Sequence, residues 1–294
     1  MTVRTDSLPG VAGIRIVHHL DAPLQLVPQQ RPEWESGDDE SCEPLVIRHR
    51  VGDTSVAGLE AQFEIPPWST YYADRDGATS ILFHAVDPAE PVRLMRSVRP
   101  GHEYVVEYEF APSRAVPRRG SELAAYALAL AIRRRGLMAH GSAIILPSGA
   151  GVLCLGVSGA GKSTFAKMML GLEGVSVLND DRQVVSAEPD GLHLWSTPWP
   201  GSADIAFPGD APLGAIVLLG RAAQPLLRRV PPREALARLL STLAIPHWGG
   251  DALDAALALV NRMLGELPVV ELAYPLSPGT PGWILDQMTA LTGE

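Results

Sequence analysis

Hydrophobic positions fall into two regimes along the chain. Between Leu45 and Phe110 they sit in short runs closed by glycine and proline, as in Leu45–Val51, Ser80–Val86 and Tyr104–Phe110. That spacing predicts the strands of an antiparallel sheet. Val11–His19 predicts an earlier strand on Ile14, Ile16 and Val17, while Trp68, Tyr71 and Tyr72 sit among turn residues and read as packing aromatics. From Ser121 the pattern changes. Ser121–Gly136 has a candidate cap, an Ala/Leu body, three arginines in its last turn and a glycine stop, which are the marks of a helix. Leu137–Leu146 and Val152–Leu155 predict strands, Thr164–Leu170 a helix and Val175–Leu178 a strand ending in Asn179-Asp180-Asp181. Val184–Val185, Leu192–Trp195 and Ala203–Phe207 read as short strand or loop pieces, and Pro198–Gly201 as a rigid turn. Leu213–Leu219 and Val269–Ala273 predict buried strands, and Pro232–Leu243, Asp251–Leu264 and Pro281–Leu291 predict helices. Strands alternating with helices make this part α/β.

The chain therefore divides into a β-rich N-terminal lobe over 1–115 and an α/β domain over 116–294, with the basic stretch Arg114–Gly120 as linker. Within the lobe, the acidic stretch at about 28–44 (Glu33, Glu35, Asp38, Asp39, Glu40, Glu43) reads as a solvated loop. A length of 294 residues accommodates both parts, and 46% hydrophobic with 19% charged content is globular. The formal net charge of -9 argues against non-specific nucleic-acid binding, which needs a basic surface. Two cysteines, Cys42 and Cys154, cannot form a disulfide framework and read as free thiols of a reducing compartment. No apolar run approaches a membrane span, and Met1–Asp6 has no signal-like apolar core, so the expected location is cytoplasmic. His18, His19, His49, His84 and His102 show no metal-ligand spacing and read as structural or surface residues.

The chemistry concentrates at Gly156-Val157-Ser158-Gly159-Ala160-Gly161-Lys162-Ser163, which fits G-x-x-x-x-G-K-[ST] at each fixed position between a strand and a helix. Glycines let the loop amides approach an anion, and the helix start adds free N–H groups and a positive dipole end. Lys162 would reach the β- and γ-phosphates and the Ser163 hydroxyl a Mg²⁺ ion. Ser158, Gly159, Ala160, Gly161 and Thr164 complete the expected ATP cradle. Asp180 and Asp181, at the end of a strand beside that loop, lie where metal and transferring phosphoryl group would be.

His140-Gly141-Ser142, the phosphate loop and Leu178-Asn179-Asp180-Asp181 together resemble the catalytic domain of HPr kinase/phosphorylase and its serine-kinase relatives, over about residues 120–290. The resemblance implies a P-loop kinase domain with a phosphoenolpyruvate-carboxykinase-type nucleotide site. It implies ATP and Mg²⁺ as cofactors and transfer of the γ-phosphoryl group to a serine-type hydroxyl. Carried over from the family, Asp180 is the base, His140 its supporting partner and Asp181 a metal ligand with Ser163. Thr164 stands where HPr kinases carry glutamate, no copy of the arginine-containing phosphorylase stretch is present, and the first lobe is unlike theirs. The acceptor therefore stays a peptide, protein or small-molecule hydroxyl. A nucleotide sensor or ATPase without acceptor is the alternative, and the oligomeric state stays open.

Overall fold

The computed structural model describes residues 4–25, 34, 42–73, 79–112, 115, 120–157, 159–246, 250–277 and 279–293, with backbone alone for 4–10. It is a mixed α/β protein, and its described residues form two eight-stranded sheets. The chain forms two compact units, Met1–Arg133 with Trp248–Gly250, and Arg134–His247 with Asp251–Glu294.

The first unit contains β1 (Arg4–Val11), β2 (Ile14–Leu20), β3 (Glu43–Val51), β4 (Glu60–Ile65), β5 (Ser69–Ala73), β6 (Thr79–Phe83), β7 (Arg93–Arg99) and β8 (Glu103–Tyr108), followed by helix α1 (Ser121–Ile132). The sheet order is β1-β2-β3-β8-β7-β6-β5-β4. An all-antiparallel sheet was expected, but β3 runs parallel to both β2 and β8. The connections between those strands are long enough to return the chain to the starting edge, which hairpin turns cannot do. Tyr71 and Tyr72 lie in a strand, not a turn. β1, which contains Pro9 and Gly10, is an edge strand, where a missing N–H costs least. The acidic stretch lies outside the described residues except Trp34, Cys42, Glu43 and Pro44, the last two of which open β3.

Helix α1 belongs to this unit. The expected boundary at 115/116 contrasts with the observed one at Arg133/Arg134, and most of the expected linker lies outside the described residues. The helix ends at Ile132, so the arginines follow it and do not form its last turn. Arg133 donates to the carbonyls of Gly101 (2.7 Å) and Pro44 (2.9 Å), which ties the helix end to the β7–β8 turn and to the start of β3. Ala125, Tyr126 and Ala129 of α1 are buried, as are Ile14, Leu45, Ile47, Leu94, Tyr104 and Tyr108 of the strands. Each such large apolar side chain contributes about 1.5–3 kcal/mol relative to exposure.

The second unit contains β9 (Leu137–Ile145), β10 (Gly151–Leu155), α2 (Lys162–Met169), β11 (Ser176–Asn179), β12 (Arg182–Glu188), β13 (Gly191–Ser196) and β14 (Asp210–Arg221). It continues with β15 (Leu226–Arg229), α3 (Pro232–Leu240), α4 (Gly250–Glu266), β16 (Val269–Tyr274) and α5 (Thr280–Thr292). β9 and β14 are long enough to serve two leaves. In one leaf the order is β9-β12-β13-β14, all antiparallel. In the other it is β11-β9-β10-β14-β16-β15, with β10, β14 and β16 mutually parallel. Phe165, Ala166 and Met169 of α2 and Ile284 and Met288 of α5 share one core with Val152, Cys154, Val217 and Leu272.

One feature of this topology positions the site. β11 and β12 lie end to end along the same strand, β9, with Asp180 and Asp181 at their junction. The register shifts between Val177 and Asn179, and Asp181 accepts from Gly141 N at 3.0 Å. Gly141 is required here, since a Cβ would stand 2.8 Å from the Cys154 carbonyl.

Candidate functional site

Four segments converge on the carboxylate pair: His140 from β9, the loop and first turn of α2, the β11/β12 junction, and the segment from Thr197 to Ile205 after β13.

Between β10 and α2 the chain reverses through Gly159 and Gly161, both at positive φ (80° and 102°) where a side chain would be strained. Gly156 leaves room for Ala160, whose Cβ would be 2.7 Å from an added one. Lys162 Nζ donates to the carbonyls of Gly156 (2.8 Å) and Val157 (3.3 Å). Its ammonium is therefore folded back over the loop, and the residue as a whole is only 8% exposed. Burial pulls its pKa below the ordinary lysine value, Asp181 opposes this by favouring the charged form, and Arg182 adds to the lowering. Thr164 is exposed, and Ser158 lies outside the described residues.

Asp180 is 1% exposed, and every lone-pair direction of its carboxylate meets a donor. Oδ2 accepts from the Ser163 hydroxyl (2.8 Å) and Ala203 N (2.9 Å). Oδ1 accepts from Gly201 N (2.7 Å) and Ile205 N (3.3 Å). A carboxylate offers about four such positions, so this one is filled. Gly201 permits the approach, because a Cβ there would be 2.6 Å from Asp180 Oδ2.

Asp181 has a different environment. His140 Nε2 stands 2.9 Å from its Oδ1, and Arg182 Nε is 3.7 Å from Oδ2. The His140 side chain is 39% exposed and that of Asp181 10%, so the imidazole is the solvent-facing member of the pair. The sequence reading set His140 beside Asp180; the imidazole instead meets Asp181. The cause is register: Arg182 is opposite His140 on the β9–β12 ladder, which brings the residue before Arg182 within reach.

Two contributors were not anticipated. Asn179, fully buried, accepts from Asp181 N (2.7 Å) and Arg182 N (3.1 Å) through Oδ1. Its Nδ2 donates to the Thr197 (2.6 Å) and Trp199 (3.4 Å) carbonyls. It thus fixes the bend that separates the two carboxylates. The signal was present in sequence as an asparagine ahead of the aspartates, a residue that readily bonds the backbone two positions on. The segment 201–205, read from sequence as the end of a rigid turn and the start of a short strand or loop piece, supplies three amides to Asp180 and a second hydroxyl. Ser202 Oγ donates to Ser163 Oγ at 3.1 Å. Among the described residues no group of three or more His, Cys, Asp or Glu is arranged to hold a metal by itself. No helix among them is long and apolar enough to cross a membrane.

No family model matches this chain. No curated protein matches it. A solved structure, the Hpr(Ser) kinase/phosphatase from Coxiella burnetii, matches over 52% of this chain and 94% of its own at 14% identity, with a TM-score of 0.30.

Proposed function

We propose that this protein is an ATP-dependent phosphotransferase acting on a serine-type hydroxyl of a peptide, protein or small molecule. The observation that carries the reading is the convergence of Lys162, Ser163 and two differently bonded carboxylates at one helix start. Phosphoryl transfer asks the protein mainly for positioning and charge neutralisation, and these groups supply both.

The hydrogen bonds favour a division of labour that reverses the one implied by family resemblance. Asp180, with all four acceptor positions used, keeps the Ser163 proton turned toward itself and so leaves the serine lone pairs for a cation. Asp181, held by His140 at a partly open edge, is the better candidate to take the acceptor proton, with His140 orienting it. Lys162, released from its loop carbonyls, would carry charge to the phosphates, and the α2 N-terminal amides would add to it. Bound Mg²⁺ would supply neutralisation of the β- and γ-oxygens, with Ser163 as its protein ligand.

The test is γ-labelled ATP with a serine-containing peptide library, read by mass spectrometry, beside calorimetric binding of ATP. Asp181→Asn should cut transfer about 10²- to 10⁴-fold with ATP affinity nearly unchanged, the range that general-base catalysis supplies. Normal transfer by that variant sinks the base assignment. ATP binding without any phosphorylated product would favour a sensor over a kinase.

A further inference from the structure

Ser202 is an exposed hydroxyl held firmly beside Ser163. Both of its neighbours are pinned to the same carboxylate, Gly201 N to Asp180 Oδ1 and Ala203 N to Asp180 Oδ2. Its Oγ is 3.1 Å from Ser163 Oγ, whose own proton is committed to Asp180.

We propose that Ser202 is a second hydroxyl ligand of the divalent cation, bound side by side with Ser163. The inference rests on the phosphate-site reading above and adds a residue from outside the phosphate-loop motif. Mg²⁺ holds its oxygens at about 2.0–2.1 Å in an octahedron, which sets neighbouring ligands about 2.9 Å apart. The two hydroxyl oxygens are already at nearly that separation. A hydroxyl has one proton and two lone pairs. With the Ser163 proton on Asp180, a cation can take one lone pair from each serine and replace the hydrogen bond between them with little movement of either. Asp180 then organises the metal site without touching the metal: one oxygen aims Ser163 and both oxygens hold the loop that carries Ser202. This also fits the lack of a carboxylate-rich ligand cluster among the described residues. A small, hard cation that keeps phosphate and water oxygens needs few protein ligands.

The arrangement makes the 201–205 loop a reporter of metal loading, because Ser202 exchanges a serine partner for a cation. The decisive experiment is titration of Mn²⁺ into the full-length protein with a non-hydrolysable ATP analogue, followed by electron paramagnetic resonance. Ser202→Ala should weaken Mn²⁺ about tenfold, as loss of a supporting metal-site residue typically does. Nucleotide affinity measured in EDTA should stay at the wild-type value, and Ser202→Thr should restore the metal affinity. Ser202→Cys should shift preference from Mg²⁺ toward Cd²⁺, since sulfur favours the softer ion. Unchanged Mn²⁺ affinity in Ser202→Ala, with the analogue still bound, overturns the ligand assignment and leaves the nucleotide site standing. Failure of the wild-type protein to bind the analogue at all overturns both.

Discussion

The first unit contains a buried hydrogen-bonded chain whose removal gives a stability test independent of any activity. His18, fully buried on β2, shares a hydrogen with His49 of β3 (Nδ1 to Nε2, 2.9 Å) and donates from Nε2 to Glu122 of α1 (2.8 Å). His49 continues to the Tyr108 hydroxyl of β8 at 2.9 Å. Four elements are thus joined through one buried polar line. Glu122→Leu keeps side-chain bulk but leaves the His18 Nε2–H without its acceptor, which costs about 1–3 kcal/mol at a buried site. Glu122 is also the acidic residue in the first turn of α1, and losing that charge near the helix N-terminus adds about 0.3–1 kcal/mol. The expected net loss is about 2–3 kcal/mol. At urea slopes of about 1–3 kcal/mol/M the midpoint should fall by about 0.7–3 M. The assay is urea unfolding followed by circular dichroism and tryptophan fluorescence. His18→Leu combined with Glu122→Leu should cost less than the sum of the single changes by about 1 kcal/mol or more, because the orphaned donor is gone. A Glu122→Leu midpoint within error of the wild type, or strict additivity in the cycle, would refute the claim that this line holds α1 to the sheet.

Three further outcomes follow from the second unit. Gly201→Ala should displace the Asp180 carboxylate, whose Oδ2 would be 2.6 Å from the new Cβ, and slow phosphoryl transfer on the order of 10²-fold in a steady-state assay. Lys162→Met should abolish ATP binding by calorimetry yet raise the thermal midpoint. The sign follows from the depressed pKa of Lys162. The unfolded chain holds that proton more tightly, so the buried charge costs stability below the folded pKa, and the cost is relieved as pH rises toward the ordinary lysine value. A lower midpoint for Lys162→Met at neutral pH would contradict it. Cys154, fully buried with its thiol pushed well above the usual range by burial, should resist thiol reagents until the protein is unfolded in urea.

How much was legible depended on whether the governing interaction was local in sequence. β10, the glycine loop and α2 form one contiguous stretch, and each part shows in its own residues: a bulky run, glycines, then a helix start. The exposure of β4 was not legible: Ala61, Phe63 and Ile65 alternate with Glu60, Gln62 and Glu64 as in a half-buried strand, yet all six are exposed at the sheet edge. The parallel placement of β3 could not be read from hydrophobic spacing, which is the same for either strand direction. The buried line from Tyr108 to Glu122 joins residues 31, 59 and 104 positions apart, and each histidine alone looks ordinary. The bonds of Asp180 to residues 21, 23 and 25 positions later depend on the β12–β13 hairpin bringing the chain back.

The Asp-Asp pair shows how position along one strand edge sets chemistry more finely than residue type. Two identical side chains, adjacent in sequence, meet a hydroxyl and three amides in one case and an imidazole and a guanidinium in the other. What separates them is the bulge before Asn179 and the grip of that asparagine on the Asp181 and Arg182 amides. Asn179→Ala leaves both carboxylates in place by sequence but removes the bend, so it tests geometry apart from chemistry. If the bend assigns the roles, this variant should lose transfer on the order of 10²-fold while ATP still binds, because misplacement of about 1 Å is enough to cost that much. Asn179→Asp retains an oxygen for the two amides but loses the donor to the Thr197 and Trp199 carbonyls, and should recover part of the rate. Full transfer in Asn179→Ala would mean that the two aspartates reach their roles without the clamp, and that the order of the residues alone suffices.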